Sequence, residues 1–153
     1  MSGTSVLRWG IKESLLAYID RIEDGVIETS AGAGLSYGTF TFEFDEATST
    51  YDATAETGML QFRGSVIITG HWGAMRVEIH DPQLHIDGTT GSLSTRTNSP
   101  ISAERFEVFA SLSEVTTSPT LSAHVNLAAA GRMMLGQQYS VGQELDALTV
   151  VWS

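Results

Sequence analysis

The segment SVIITGHWGAMRVEIH, residues 65–80, contains two apolar runs that flank a turn bounded by Gly70 and Gly73. In the second run apolar and polar residues alternate, as in a half-buried strand: Met75, Val77 and Ile79 with Arg76, Glu78 and His80. The segment therefore predicts a β-hairpin with His71 at its tip. Tight hairpin turns commonly use Asn-Gly or Asp-Gly, because these residues accept positive φ angles. A histidine at this place suggests a purpose beyond turning the chain.

Other segments extend this β pattern along the chain. Phe40, Phe42 and Phe44 alternate with polar residues, and four further runs are rich in β-branched and aromatic residues: LQFRGSVIIT (60–69), RFEVFASLSEV (105–115), TLSAHVNLAA (120–129) and ALTVVW (147–152). Polar stretches such as DGTTGSLSTRTNSP (87–100) are interpreted as connections. We predict a mainly β fold, an antiparallel β-sandwich or open barrel.

One helical pattern occurs, over about residues 11–23. Its apolar residues follow steps of three and four: Ile11, Leu15, Tyr18 and Ile22. We expect Gly25 to end the helix with a left-handed cap. Tyr18 is predicted in the middle of the apolar stripe and Ser14 one turn earlier, so that both hydroxyls point towards whatever this face covers.

Composition limits the classes of function. The 153 residues show no internal repeat or linker, so we expect one domain over residues 1–153. The absence of cysteine excludes disulfides and thiolate chemistry. A formal charge of −10, from 18 acidic and 8 basic residues, argues against nucleic acid or anionic lipid as a partner. Because the sequence has no signal-peptide pattern and no apolar run long enough to span a bilayer, we expect a cytoplasmic chain as written, without membrane insertion.

Familiar catalytic motifs are absent from the sequence, including a nucleophile elbow, a phosphate loop and an HExxH pair. The segment HDPQLH suggests a metal site through His80, Asp81 and His85. On an extended chain, however, residues five apart face opposite sides, and Pro82 interrupts the strand. Exposed histidines at strand ends are the favoured interpretation.

Three segments carry motifs that follow one another along the chain. LRWGIKESLLAYI (7–19) contains Leu-x-Trp-Gly-Ile-Lys, then a serine and a tyrosine four residues later. FRGSVIITGHWGAMRVEIHDPQLHI (62–86) contains a Phe-x-Gly-x-Val strand, a Gly-His-x-Gly turn and a further strand, and LAAAGRMMLGQQYSVGQELDALTV (127–150) contains Tyr-x-x-Gly. Together these segments resemble the opening signature, the central strand and turn, and the closing stretch of HtaA-type haem-binding domains of actinobacterial haem uptake. The similarity covers nearly the whole chain.

This resemblance implies that Tyr18 is the axial ligand of ferric haem and that His71 hydrogen-bonds the tyrosine oxygen. A phenolate is a hard anionic donor suited to Fe(III), and a histidine beside it supports the anionic form. The resemblance also makes Trp72 a candidate to cover the porphyrin, Ser14 a hydrogen-bond donor to a propionate or to the ligand network, and Tyr139 a residue closing the far side. Trp9, Met133 and Met134 are interpreted as core or cavity filling.

The implied function is haem acquisition, transfer or storage, with haem and its donor or acceptor proteins as partners and the cell envelope or exterior as the family's usual location. A first alternative is a tyrosinate–haem enzyme with peroxidase- or catalase-like activity. No arginine favours it, because strand parity turns Arg76 away from the apolar face of its strand. A second alternative is a cofactor-free β-sandwich binding module with an aromatic platform. Tyr37 is a competing candidate for the iron ligand.

Overall fold

The computed structural model describes residues 5–97, 105–135 and 139–152, which form twelve strands and two helices. The strands are β1 (Val6–Trp9), β2 (Val26–Ser30), β3 (Ala33–Ser36), β4 (Thr39–Phe44), β5 (Thr57–Arg63), β6 (Ser65–Gly70), β7 (Met75–His80), β8 (Gln83–Asp87), β9 (Thr90–Thr97), β10 (Arg105–Thr116), β11 (Leu121–Leu127) and β12 (Glu144–Val151). The helices are α1 (Glu13–Arg21) and α2 (Ala129–Met134). Short 3-10 turns cover Glu46–Thr48 and His71–Gly73.

Eight strands form a barrel-like antiparallel sheet in the order β1, β12, β11, β10, β9, β8, β5 and β4. The ring closes because β4 also pairs with β1, with Trp9 opposite Phe40. Strand β3 adds to the other edge of β4, and β2, β6 and β7 form a separate antiparallel sheet. The predicted mainly β fold is confirmed, and closure of the ring leaves fewer unpaired strand edges than an open barrel would.

The predicted strand over 60–69 is wrong in one respect, because it is two strands that belong to different sheets. The chain breaks at Gly64, whose φ is +139° and where an added Cβ would lie 2.5 Å from the Ala33 backbone nitrogen. Only glycine accepts both this backbone conformation and this close approach. The break moves the chain from the barrel into the small sheet that carries the hairpin.

The interpretation of residues 87–100 as a connection is also wrong for its central part, because Thr90–Thr97 forms β9. Its serines and threonines are inside a sheet: Ser94 and Thr95 are buried, and the Thr95 hydroxyl is hydrogen-bonded to both the backbone nitrogen and the carbonyl of His80. Because such a hydroxyl has hydrogen-bond partners, a stretch rich in serine and threonine can form a buried strand. Residues 98–100 lie outside the described part of the chain.

The first helix is shorter than predicted and ends differently. It begins after Ile11, a buried residue with φ of +62°, and the Glu13 backbone nitrogen donates to Asp146 Oδ1 at 3.1 Å. It ends at Arg21; the next residue, Ile22, is extended, and its nitrogen donates to the Tyr18 carbonyl. The expected left-handed cap at Gly25 is wrong, since its φ is not positive. Gly25 instead lies against the helix, where a Cβ would be 2.1 Å from the Ile19 carbonyl oxygen.

Side chains from the barrel, the small sheet and α1 share one hydrophobic cluster. Trp9 is buried in it, in edge-to-face contact with Phe109 and with its indole N–H donating to the Asp146 carbonyl at 2.7 Å, which confirms its predicted core role. Helix α2, six residues long, was not predicted. It packs on β10, and an added Cβ at Gly131 would lie 2.0 Å from the Phe109 carbonyl oxygen.

Candidate functional site

The central contact of the site joins Tyr18 of α1 to His71 at the tip of the β6–β7 hairpin. The Tyr18 hydroxyl is hydrogen-bonded to His71 Nε2, and the two ring centroids are 5.6 Å apart. The buried face of α1 is centred on Leu15 and Ile19, so Tyr18 lies at its border and not in the middle as predicted. At that border the ring is half-buried against the core while the hydroxyl is free to meet the hairpin.

The hairpin presents His71 through an unusual backbone conformation. His71, Trp72 and Gly73 have φ angles of 52°, 57° and 89°, so three successive residues are left-handed. Gly70 before them is extended and buried, and an added Cβ there would meet the Ile22 side chain at 2.6 Å. The glycine lets the end of β6 lie directly against the end of the helix, which brings His71 within reach of Tyr18.

Asp24 also belongs to this site, although the sequence analysis did not identify it. One carboxylate oxygen accepts the His71 backbone N–H at 3.2 Å, and the other accepts that of Trp72. These bonds, that of Trp72 first and then that of His71, hold the pKa of Asp24 below its usual range. The register of β2 against β6 places Asp24 beside the turn, and the sequence pattern does not predict that register.

Ser14 lies one turn before Tyr18 on α1, and its side chain contacts Tyr139. Tyr139 is half-buried against the core, and burial raises the pKa of its hydroxyl, partly offset by a hydrogen bond to the Ser14 side chain. Its backbone carbonyl accepts from Arg132 Nε at 3.0 Å, which ties it to α2. Tyr139 therefore stays protonated near neutral pH and serves as a hydrogen-bonding group.

Large apolar side chains are exposed on the elements around α1 and the hairpin. Trp72 is 84% exposed and Met133 of α2 is 62% exposed, whereas Met134 is partly buried against the core. Val141, beyond Tyr139, is exposed as well. Exposed apolar groups on neighbouring elements are a common feature of ligand-binding surfaces.

Tyr37 lies elsewhere, fully exposed in the turn between β3 and β4. It lines a groove of about 890 Å³ along α1, together with Leu16, Ile22 and Leu35, and neither Tyr18 nor His71 lines that groove. The structure thus brings Tyr18, and not Tyr37, to a histidine.

The three residues of HDPQLH do not converge. His80 is buried, contrary to the expectation of an exposed strand end, with Nδ1 2.8 Å from Ser65 Oγ and Nε2 2.8 Å from Glu78 Oε1. Asp81 pairs with Arg96 at 2.9 Å, and His85 is exposed beside Gln83. Within the described ranges, no group of three or more His, Cys, Asp or Glu side chains is arranged to hold a metal ion.

Arg76 follows the predicted strand parity. Its Nε is 2.7 Å from Glu78 Oε2 on the outer face of β7, while Met75, Val77 and Ile79 are buried.

Neither helix in the described part of the chain has the length and apolar character needed to cross a membrane.

The fold and the Tyr18–His71 pair define a class of domain: an antiparallel β-barrel in which an N-terminal helix meets a hairpin tip through a tyrosine and a histidine. The model of the HtaA family (Htaa) matches residues 4–151, and the chain belongs to this family. No curated protein matches it.

Solved structures of similar fold come from Corynebacterium glutamicum. The C-terminal domain of HtaA is 25% identical with a TM-score of 0.79, over 96% of this chain and 94% of that one. The N-terminal domain of HtaA is 21% identical with a TM-score of 0.79, over 100% and 99% of the two chains. The haem-binding protein HtaB is 17% identical with a TM-score of 0.66, over 97% and 92%. For the N-terminal domain of HtaA and for HtaB, the similarity shows only that the fold is shared.

Proposed function

We propose that this chain binds ferric haem, with the Tyr18 phenolate as axial ligand and His71 as its hydrogen-bond partner, for haem acquisition, transfer or storage. The observation that carries the proposal is the hydrogen bond between Tyr18 and His71 in a domain of the HtaA family. A similar fold in the haem-binding protein HtaB supports it.

The residues present fit a haem. Tyr18 offers a hard oxygen donor at the border of the core, and the exposed Trp72, next to His71 in the turn, offers an apolar surface that suits a flat macrocycle. Ser14 and Tyr139 offer hydroxyls for a propionate or for the ligand network. When bound, haem supplies a ferric iron that accepts the phenolate oxygen.

His71 handles the proton that this ligation requires. The Tyr18 hydroxyl is hydrogen-bonded to His71 Nε2; in the tautomer that carries its ring hydrogen on Nδ1, the hydroxyl donates and Nε2 accepts. A phenol is neutral, so its proton must leave before the oxygen can act as an anionic ligand. His71 Nε2 is the nearest acceptor; with that proton it becomes a cationic donor and stabilises the phenolate through a charge-assisted bond.

Haemin titration of the purified protein tests the proposal, with tyrosinate ligation read from the visible and resonance Raman spectra. Tyr18→Phe removes only the hydroxyl and should abolish the tyrosinate spectrum. Tyr37→Phe is the matched control, because it makes the same change at a fully exposed tyrosine outside the site. Failure of the wild-type protein to bind haemin would overturn the function, and loss of the tyrosinate spectrum in Tyr37→Phe alone would move the ligand to Tyr37.

A further inference from the structure

We propose that Asp24 is a positioning residue of this site: its carboxylate holds the turn His71–Gly73 in the conformation that brings His71 to Tyr18. The proposal rests on the proposed function for its effect on haem. Its structural part concerns the protein alone and is testable without haem.

Strand register brings Asp24 to the turn. Strand β2 pairs with β6 so that Val26 lies opposite Thr69 and Ile27 opposite Ile68. Continuing this antiparallel register by two residues places Asp24 opposite His71. Both backbone N–H groups at the start of the turn then point to the carboxylate, one to each oxygen.

The turn needs such a partner. Two successive non-glycine residues, His71 and Trp72, are left-handed, a conformation that side chains with a Cβ disfavour. Gly70 precedes the turn and has no side chain that could accept the N–H groups of His71 and Trp72. Within the turn, the Ala74 nitrogen donates to the His71 carbonyl. The Asp24 carboxylate accepts N–H groups as a cap does at the start of a helix, but from another segment of the chain.

The same residue ties the turn to the helix that carries the proposed ligand. Asp24 lies six residues after Tyr18. The chain on either side of Asp24 is fixed to α1: before it by the bond from the Ile22 nitrogen to the Tyr18 carbonyl, and after it by the close approach of Gly25 to Ile19. Tyr18 and His71 are thus held at two places: directly through their side chains, and through Asp24. The carboxylate of Asp24 is ionised near neutral pH, as that of an ordinary aspartate is, and this is the form that accepts both bonds; its lowered pKa extends that form to lower pH.

Asp24→Asn is the sharpest variant, because it keeps the shape of the side chain and replaces the charged carboxylate by a neutral amide. One carboxylate oxygen becomes an NH₂ group, which cannot accept an N–H. Asp20→Asn is the matched control, since it removes the same charge from an exposed position on α1. In the haem-free protein we expect slow hydrogen exchange of the His71 and Trp72 amides in wild type and in Asp20→Asn, and fast exchange in Asp24→Asn. Unchanged exchange in Asp24→Asn would overturn the proposal.

Haemin should dissociate from Asp24→Asn about tenfold faster than from wild type, which is the loss expected for a charge-assisted hydrogen bond. Its dissociation rate from Asp20→Asn should match that from wild type. Haemin capture by excess apomyoglobin gives the rate. Because Asp24 acts through His71, adding Asp24→Asn to His71→Ala should change the rate no further. A full additional effect in the double variant would overturn the positioning role, whereas a wild-type protein that binds no haemin would overturn the function and leave the exchange result to decide the role of Asp24.

Discussion

Tyr18 and His71 are separated by 53 positions in the sequence and are joined by a side-chain hydrogen bond in the structure. Each comes from a segment that alone has an ordinary interpretation, a core helix and a hairpin turn. In the proposed function this contact makes the effects of changing the two residues unequal, because Tyr18 supplies the ligand oxygen and His71 only hydrogen-bonds it.

We expect His71→Ala to weaken haemin binding by about ten- to a hundredfold while part of the tyrosinate spectrum remains. The phenolate stays in place but loses a charge-assisted hydrogen bond, worth roughly 1.5–3 kcal/mol. Tyr18→Ala should cause a larger loss, because it removes the proposed bond to iron. Equilibrium titration with absorbance detection measures both. If His71→Ala abolished ligation while Tyr18→Ala kept the spectrum, the axial ligand would be the histidine.

Tyr139→Phe should weaken haemin binding less than either of those changes. It keeps the half-buried ring and removes only the hydroxyl and its hydrogen bond with Ser14. Ser14→Ala removes the other half of the same bond, so the two variants and their double variant form a cycle that reports whether the pair acts as a unit. A loss in Tyr139→Phe as large as that in Tyr18→Ala would contradict the assignment of Tyr18 as ligand.

Gly25→Ala should destabilise the protein, although the left-handed cap expected at that position does not exist. An added Cβ would lie 2.1 Å from the Ile19 carbonyl oxygen, so backbone must move, and we expect a loss of about 1–3 kcal/mol in the free energy of unfolding. Gly34→Ala is the matched control, because its added Cβ would meet only the Thr41 side chain, at 3.3 Å. Urea unfolding measures the free energy of unfolding of both variants. Equal values would show that the backbone at the end of α1 shifts to accommodate the added Cβ without loss of stability.

The parts of this molecule that could be predicted from sequence are those that depend on local pattern. Alternation of apolar residues predicts the hairpin strands, and the quoted motifs predict the pairing of Tyr18 with His71 through family resemblance. The break at Gly64 was missed because strand-forming residues occur on both sides of it, so that the pattern predicts one strand over 60–69, across Arg63, Gly64 and Ser65. Strand β9 was missed because its buried threonine is hydrogen-bonded to β7, a strand with which β9 does not pair. Asp24 was missed because its role depends on register between β2 and β6. The single domain over residues 1–153 stays a prediction.

Acid should remove the contribution of Asp24 to stability. Backbone N–H groups of Trp72 and His71 hold the pKa of Asp24 below its usual range in the folded protein. A carboxyl whose folded pKa is lowered stabilises the fold above its unfolded pKa and loses that contribution as the pH falls through the folded pKa. Asp24→Asn should therefore be less stable than wild type at pH 7 and pH 5, with a difference that shrinks below about pH 4.

Urea unfolding of wild type, Asp24→Asn and Asp20→Asn at each pH measures this difference. Asp20→Asn corrects for the general effect of removing one negative charge from an acidic protein. A deficit in Asp24→Asn that stayed constant down to pH 3 would mean that ionisation of the carboxylate is not what stabilises the turn.

Reduction of the iron should accelerate the transfer of haem out of the Tyr18 site. A phenolate is a hard donor that prefers the ferric ion, so its bond to Fe(II) is weaker, whereas a neutral imidazole ligand would tolerate reduction better. Transfer to apomyoglobin should be faster after addition of dithionite than before it. Because Tyr18→Phe lacks the phenolate, its transfer rate should be high in both oxidation states, and this variant is the control for effects of dithionite on the acceptor. Equal, slow transfer from the wild-type protein in both states would exclude release by reduction, even with haem binding itself established.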